Sequence, residues 1–323
     1  MTQTLVFDGP AVDPGTLQLI PATCPLCGAD EGEPVAVGND FAHGTTGDSF
    51  LVLSCHGCGL LYLNPRPAPE EWHRLYPPGY FNRPDCGHGG ISRTAIRELL
   101  RACGAISPGA RVLTVGYGPT LHLGELRRAG SGSWALEALT PHESLARAAE
   151  QAGLAVHRGR PDTLEAEGAS YDLILLLHAL ENCDAPLEEV RAIRGLLRDG
   201  GRLVIMTPNA ASAAWRLFQG RHWAGYDFPR HRCLFSPETL RRLAADAGFA
   251  VDRVGSLGDG RVWAASAGYF ARDWSAPAWL TRAATAAFGV LGTVEAMASG
   301  TWSPRAGCPQ LAAVLRNPAE MAR

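Results

Sequence analysis

The alternation of strand-like and helix-like segments is the feature that most constrains the fold. From Arg111 onward, short β-type runs alternate with amphipathic helical stretches. The run Tyr171–Leu177 is apolar almost throughout, which is typical of a strand buried on both faces of a sheet. Strands separated by helices predict right-handed βαβ units and a mostly parallel sheet. The sequence therefore predicts an α/β fold, and the Ala-rich stretch Val262–Met297 predicts a helical C-terminal tail.

Composition and charge narrow the class of protein. Of the 323 residues, 46% are hydrophobic, which is enough for a sizeable core. The formal net charge is −3 without a block of like charges, so no nucleic-acid-binding surface is predicted. No segment has the length of a membrane-spanning helix, and the first residues lack the basic and apolar regions of a signal peptide. We therefore expect a cytoplasmic protein, whose nine cysteines are thiols or metal ligands rather than disulfides.

Two cysteine knuckles stand near the start of the chain. Cys24 and Cys27 precede a glycine, Cys55 and Cys58 do the same, and about 27 residues lie between the two knuckles. Two thiolates three residues apart in a tight turn can bind one ion, and the following glycine permits the positive φ that the turn needs. The pattern predicts a closed, structural zinc site with four cysteine ligands and without a catalytic role. The alternative is two unrelated pairs of thiols.

A glycine turn connects the first predicted strand of the sheet to the next helix. The strand Arg111–Val115 is followed by Gly116, Tyr117 and Gly118, and Glu137 stands about 20 residues further on. Glycines let a backbone approach a ligand, and a carboxylate on the second strand can accept hydrogen bonds from ribose hydroxyls. NAD and S-adenosylmethionine would both fit this arrangement. An ordinary βα turn is the alternative.

Several longer motifs carry a resemblance to a known family. They are the knuckles with Leu60–Arg66, the segment Leu177–Glu181, the turn Leu197–Gly201 with Thr207–Asn209, and the segment Trp223–His231. With these motifs the chain resembles bacterial class I methyltransferases that carry an N-terminal zinc-binding region. The resemblance implies a Rossmann-like class I methyltransferase sheet, a small N-terminal zinc-ribbon-type domain with four cysteine ligands, and S-adenosylmethionine as cofactor. It also implies a small-molecule substrate.

The predicted domains follow from these motifs. Residues 1–75 form the zinc-binding domain and the start of a linker, residues 76–110 the linker and a leading helix, residues 111–255 the methyltransferase domain, and residues 256–323 an extension that completes the fold. The oligomeric state is left open. The residues predicted to hold S-adenosylmethionine are Gly116, Tyr117, Gly118, Glu137, His178, Glu181 and Tyr80.

The candidate catalytic residues lie where two predicted strands end. Methyl transfer to an O–H, N–H or C–H group often needs a base. His231 is the leading candidate, and His178, which ends the fourth strand, is the second. Asp227 and Tyr226 are further candidates. Each has a structural alternative, since His231 could anchor a loop and the aromatic residues around Tyr226 could pack in the core.

Three residues in or next to the glycine loop motivate an alternative to the leading function. Thr114 and Thr120 stand where the family usually has an acidic residue and a glycine, and Pro119 lacks an N–H donor. The leading hypothesis is a small-molecule methyltransferase of bacterial secondary metabolism. The second is a methyltransferase-fold enzyme that instead catalyses a cyclisation or elimination on a natural product. The third is a non-catalytic zinc-bearing partner protein.

Overall fold

The described residues form two main β-sheets, of seven and four strands, and one short two-stranded sheet. The structure is a computed structural model that describes residues 16–76, 93–116, 126, 128, 133–166, 168, 170–299, 302–303 and 307–318. Its N-terminal part contains β1 (Leu19–Ile20), β2 (Gly32–Gly38), β3 (Phe50–Cys55), β4 (Leu61–Leu63) and β5 (Arg66–Pro67). The helices α1 (Trp72–Leu75) and α2 (Arg93–Ala102) follow.

The larger sheet has seven strands. The remaining strands of the chain are β6 (Arg111–Val115), β7 (Ala135–Thr140), β8 (Ala155–Arg158), β9 (Tyr171–Leu177), β10 (Leu197–Pro208), β11 (Cys233–Leu234), β12 (Ala250–Leu257) and β13 (Gln310–Arg316). The spatial order is β12-β13-β10-β9-β6-β7-β8, and β13 alone runs against the others. The predicted α/β fold with a mostly parallel sheet is therefore confirmed.

Helices connect the parallel strands and cover the sheet. They are α3 (Glu143–Gln151), α4 (Pro161–Ala166), α5 (Pro186–Gly195), α6 (Ala213–Phe218), α7 (Pro237–Asp246), α8 (Gly260–Asp273) and α9 (Ala278–Ser299). Ser236 caps α7 by accepting from the Thr239 backbone N–H, which satisfies one of the free N–H groups in the first turn of this helix. No helix in the described ranges is both long and apolar enough to cross a membrane.

The C-terminal region is helical as predicted, but it is not one helix. The chain turns between α8 and α9 at Ser275, whose φ is +51°, and Pro277 precedes α9. The two helices pack closely, because a Cβ on Gly292 would lie 2.6 Å from the Cα of Gly260. The chain then returns to the sheet as β13, a strand that the sequence analysis did not predict.

The smaller sheet contains residues from two distant parts of the chain. Its order is β11-β4-β3-β2, and β11 pairs with β4 through Cys233 opposite Tyr62 and Leu234 opposite Leu61. The strand that follows the Trp223–His231 segment thus completes a sheet of the N-terminal part. The domain spans given above stay predictions, and β11 crosses between two of them.

Candidate functional site

The carboxyl ends of the parallel strands meet at one edge of the large sheet. Gly116 follows β6, and its N–H donates to the carbonyl oxygen of Leu139 in β7 at 3.1 Å. In an open α/β sheet, ligands bind outside this edge. The predicted cofactor residues Tyr117, Gly118 and Tyr80 lie outside the described residues.

A histidine and a buried carboxylate occupy the end of β9. His178 has a φ of +52°, and its backbone N–H donates to the Met206 carbonyl oxygen at 2.8 Å. Its Nδ1 lies 3.0 Å from Oε1 of Glu181, whose other oxygen accepts from Thr207 Oγ1 at 2.9 Å. Both ends of the Glu181 carboxylate are therefore fixed, one by β9 and one by β10. Thr207 belongs to the sequence motif Thr207–Asn209, but its contact with Glu181 was not among the predictions.

The charge of Glu181 is stabilised by its neighbours. Glu181 is fully buried, and burial alone would raise its pKa. The hydrogen bond with His178 and the charges of His178 and His231 outweigh burial, so the pKa of Glu181 lies below its ordinary value. An ionised carboxylate at this position accepts the Nδ1 proton of His178 and fixes the tautomer of the ring.

The second nitrogen of His178 has no such partner. His178 Nε2 is buried and makes no hydrogen bond to any residue in the described ranges. Since Nδ1 donates to Glu181, Nε2 of the neutral ring carries a lone pair and can accept a proton. A histidine held in this way by a carboxylate is the arrangement that general bases use.

His231 is placed differently. Its Nδ1 lies 2.8 Å from the carbonyl oxygen of Gly225, and its Nε2 lies 3.9 Å from Glu181 and 3.8 Å from Asp227. The ring is buried and bridges the loop to the Glu181 carboxylate. The structure thus brings two predicted site residues, His231 and His178, next to the carboxylate of a third, Glu181. Of the two histidines, the geometry favours His178 over His231 as a base.

The remaining loop candidates are packed into the protein. Asp227 is 6% exposed and its φ is +36°. The Tyr226 hydroxyl accepts from Trp215 Nε1 at 3.1 Å, and burial raises the pKa of Tyr226 to about 12. Its ring contacts those of Trp223 and Phe228, with centroids 5.1 and 5.0 Å away. These contacts favour the core-packing alternative for the aromatic residues of this loop.

Glu137 occupies a network of its own within the sheet. Its Oε1 accepts from Arg111 Nε at 3.1 Å and Nη2 at 2.8 Å. Its Oε2 accepts from the Tyr171 hydroxyl at 2.8 Å and lies 2.8 Å from His157 Nε2. Burial would raise the pKa of Glu137, but the hydrogen bonds from His157, Arg111 and Tyr171 lower it. The ribose-binding role of Glu137 stays a prediction, and both of its oxygens already have partners.

The four knuckle cysteines converge. Their sulfur atoms all lie within 4.8 Å of one another, with 3.5 Å between Cys24 and Cys58 and between Cys27 and Cys55. The knuckle glycines Gly28 and Gly59 have φ of +77° and +76°. A tetrahedral zinc site with Zn–S bonds of about 2.3 Å requires sulfur atoms roughly 3.8 Å apart. The four thiols fit such an ion.

Several known proteins are similar to this chain. Residues 88–254 match the family described as methyltransferase domain. The chain is similar to a ubiquinone biosynthesis O-methyltransferase of Cereibacter sphaeroides, at 28% identity over 64% of this chain and 88% of that protein. A protein of the same name from Ruegeria pomeroyi is 30% identical over 52% of this chain and 66% of its own length. A solved SAM-dependent methyltransferase from Archaeoglobus fulgidus covers 70% of this chain and 94% of its own, with 16% identity and a TM-score of 0.43.

The family match and the sheet coincide. The matched residues make up just over half of the chain and contain β6 to β11 and most of β12. The site at the carboxyl edge, with His178 and Glu181, lies within them. The chain therefore belongs to the class I S-adenosylmethionine-dependent methyltransferases.

Proposed function

We propose that the chain methylates a hydroxyl group of a small molecule, with S-adenosylmethionine as the methyl donor and His178 as the base. The observation that carries the proposal is the free Nε2 of His178 beside the carboxyl edge, with Nδ1 held by the buried Glu181. A hydroxyl acceptor must lose its proton during methyl transfer, so a fixed base at this edge has a chemical purpose.

The described part of the carboxyl edge is compatible with the cofactor. Gly116 brings a backbone without a side chain to the end of β6, and His178 leaves a buried polar atom without a partner. Tyr76 reaches the same edge, with its ring 5.8 Å from that of His142 just after β7. We propose that Gly116, Tyr76 and His142 contribute to holding the donor.

The chain's own residues would act as follows. When bound, S-adenosylmethionine supplies an electrophilic methyl group. His178 Nε2 would accept the proton of the acceptor's O–H, and the electron pair left on the acceptor oxygen would be available to take up the methyl group that the donor supplies. Glu181 stabilises the imidazolium that results, because its carboxylate lies 3.0 Å from Nδ1. Thr207 and the buried surroundings keep that carboxylate in place.

We also propose that the Cys24, Cys27, Cys55 and Cys58 thiolates hold one structural Zn²⁺. The convergence of the four sulfur atoms supports this site, and its closed set of four thiolates leaves no position for a substrate. The N-terminal sheet is small, so the ion would supply folding free energy that its core cannot.

The narrower prediction of a role in secondary metabolism would be tested by the genes that neighbour this one.

Two measurements test the proposed reaction. Calorimetry with S-adenosylhomocysteine should give a dissociation constant in the micromolar range, and tritiated S-adenosylmethionine should transfer label to a member of a panel of small phenols and alcohols. No heat at millimolar ligand would exclude methyl transfer and favour the cyclisation or partner hypotheses. Binding without labelling of any hydroxyl, but with labelling of amines, would exclude the hydroxyl acceptor.

A further inference from the structure

A cleft opens between the C-terminal helices and the carboxyl ends of β10 and β12. Its volume is about 810 Å³, which is within the range of small-molecule sites. The floor contains Met206 and Leu257, which are 2% and 3% exposed. The rim contains Val290 and Met297 of α9, which are 65% and 77% exposed. The cleft is thus lined mainly by apolar side chains from its floor to its rim.

One polar cluster interrupts this apolar lining. Asp259, Arg261 and Gln310 all line the cleft. Arg261 donates to Asp259 through Nε at 2.9 Å and Nη2 at 3.0 Å, and Gln310 Nε2 donates to Asp259 Oδ2 at 3.2 Å. The charges of Asp259 and Arg261 are therefore paired with each other, and neither side chain needs a charged ligand to neutralise it.

Gln310 is the exception within this cluster. A carboxylate only accepts hydrogen bonds, so the contact with Asp259 fixes the Gln310 amide with its nitrogen toward Asp259 and its oxygen elsewhere. Gln310 is 3% exposed, and its Oε1 has no hydrogen-bond partner within the described part of the chain. A buried acceptor without a partner costs free energy, which indicates a donor that arrives with a ligand.

We propose that this cleft binds a small apolar molecule whose O–H donates to Gln310 Oε1. This ligand site goes beyond the proposed function, because the hydroxyl that donates to Gln310 is not the one whose proton His178 would accept. The Met206 side chain lines the cleft, and the side chain of Thr207, the next residue of β10, contacts Glu181, so the cleft and the His178 site lie on opposite faces of this strand. The apolar body of the ligand lies along α9 toward the exposed rim.

The binding test uses a matched pair of probes without the methyl donor. 1-Naphthol has an apolar body with one O–H donor, and 1-methoxynaphthalene has the same body without the donor. We expect the wild-type chain to bind 1-naphthol about tenfold more tightly in calorimetric titrations. Gln310→Leu should abolish this preference. Equal affinities of the wild-type chain for the two probes would overturn the proposal.

A second pair of variants keeps the test independent of how Gln310→Leu folds. Ala286 lines the cleft on α9, whereas Ala283 is exposed on the same helix and does not line it. Ala286→Phe should weaken binding of both probes about tenfold or more, and Ala283→Phe should leave both affinities unchanged. Equal weakening by the two variants would overturn the assignment of the cleft.

The two proposals fail in distinguishable ways. The naphthol preference is measured without S-adenosylmethionine, so it does not depend on methyl transfer. A preserved preference together with no binding of S-adenosylhomocysteine would leave the cleft as a ligand site and exclude the proposed reaction. Binding of S-adenosylhomocysteine without a naphthol preference would exclude this ligand site and leave methyl transfer in place.

Discussion

Arg230 and Asp40 form a fully buried ion pair, although 190 residues separate them in the chain. Nη1 donates to Oδ1 at 3.1 Å and Nη2 to Oδ2 at 3.0 Å. Arg230 also donates to the carbonyl oxygen of Leu75 through Nε at 2.9 Å and Nη2 at 2.7 Å. The loop that carries His231 is therefore anchored, through the preceding residue Arg230, to Asp40 and Leu75 of the N-terminal part.

Removal of the Arg230 charge should destabilise the protein strongly. Arg230→Met leaves the Asp40 carboxylate buried without its counter-ion, so we expect a loss of about 3–5 kcal/mol in the free energy of unfolding. Arg242→Met is the matched control, because its pair with Asp246 is at the surface and 3.6 Å long, and should cost less than about 1 kcal/mol. Urea unfolding measures both. A loss no larger than the control's would contradict the structural role.

The same pair should make stability depend on pH. Burial alone would raise the pKa of Asp40, but the charge and hydrogen bonds of Arg230 hold it below the ordinary value of 3.8. A group whose pKa is lowered on folding stabilises the protein above its unfolded pKa, and this contribution is lost as the pH falls through the folded pKa. The advantage of the wild-type chain over Asp40→Asn should therefore stay constant from about pH 7 to 5 and shrink below about pH 4. An advantage that persists to about pH 2 would contradict this assignment.

Substitution of the two histidines should separate their roles. His178→Gln should lower kcat by about 10²- to 10⁴-fold, with an affinity for S-adenosylhomocysteine that changes less than about threefold. His231→Gln should lower kcat less than about tenfold, because its Nε2 is 3.8 Å or more from both carboxylates. Label transfer from tritiated S-adenosylmethionine reports the rates. A larger loss at His231 would restore it as the leading base.

Glu137 should matter more for stability than for the cofactor. Glu137→Gln removes the charge that holds Arg111 and His157, and we expect a loss of about 1–3 kcal/mol in the free energy of unfolding. Since both carboxylate oxygens already have partners, the affinity for S-adenosylhomocysteine should change less than about threefold. Calorimetry tests this point, and a loss of tenfold or more would support the ribose contact instead.

The cysteine cluster should bind and retain zinc. Elemental analysis of the purified chain should give about one zinc ion per molecule. Cys55→Ser should lose that ion and lower the free energy of unfolding, because one of the four ligands is gone. Cys103→Ser is the control, since this buried thiol lies outside the cluster, and its zinc content should match that of the wild type. A folded wild-type protein without metal would refute the site.

Local patterns predicted the parts of the fold that depend on local interactions. The buried run of β9 and the strand β6 follow from the hydrophobic pattern of the sequence. The strand β13 was missed because it pairs with β10 and β12, whose residues precede it by more than 50 positions. The apolar run Leu311–Leu315 after two helices carries no sign of those partners.

The candidate site also combines residues that local sequence predicts with contacts that depend on long-range packing. His178 and Glu181 are three residues apart, and the end of β9 places both at the carboxyl edge, so both appeared among the sequence-based candidates. The contact of Thr207 with Glu181 depends on the register between β9 and β10, which no motif encodes. The partner of Arg230 and the unpaired acceptor on Gln310 depend on long-range packing, so the sequence offered no signal for either.

Because of the strand β11, the N-terminal sheet and the methyltransferase part of this chain cannot be exchanged independently between related proteins. Cys233 and Leu234 complete the N-terminal sheet, and the Leu63 backbone N–H donates to the Arg232 carbonyl oxygen at 2.9 Å. If an N-terminal segment ending after α1 were transferred alone, the backbone groups of β4 would lose their hydrogen-bond partners in Arg232 and β11. Recombination with a related enzyme would therefore preserve folding only if the segment from Trp223 to Leu234 travelled with the cysteine knuckles.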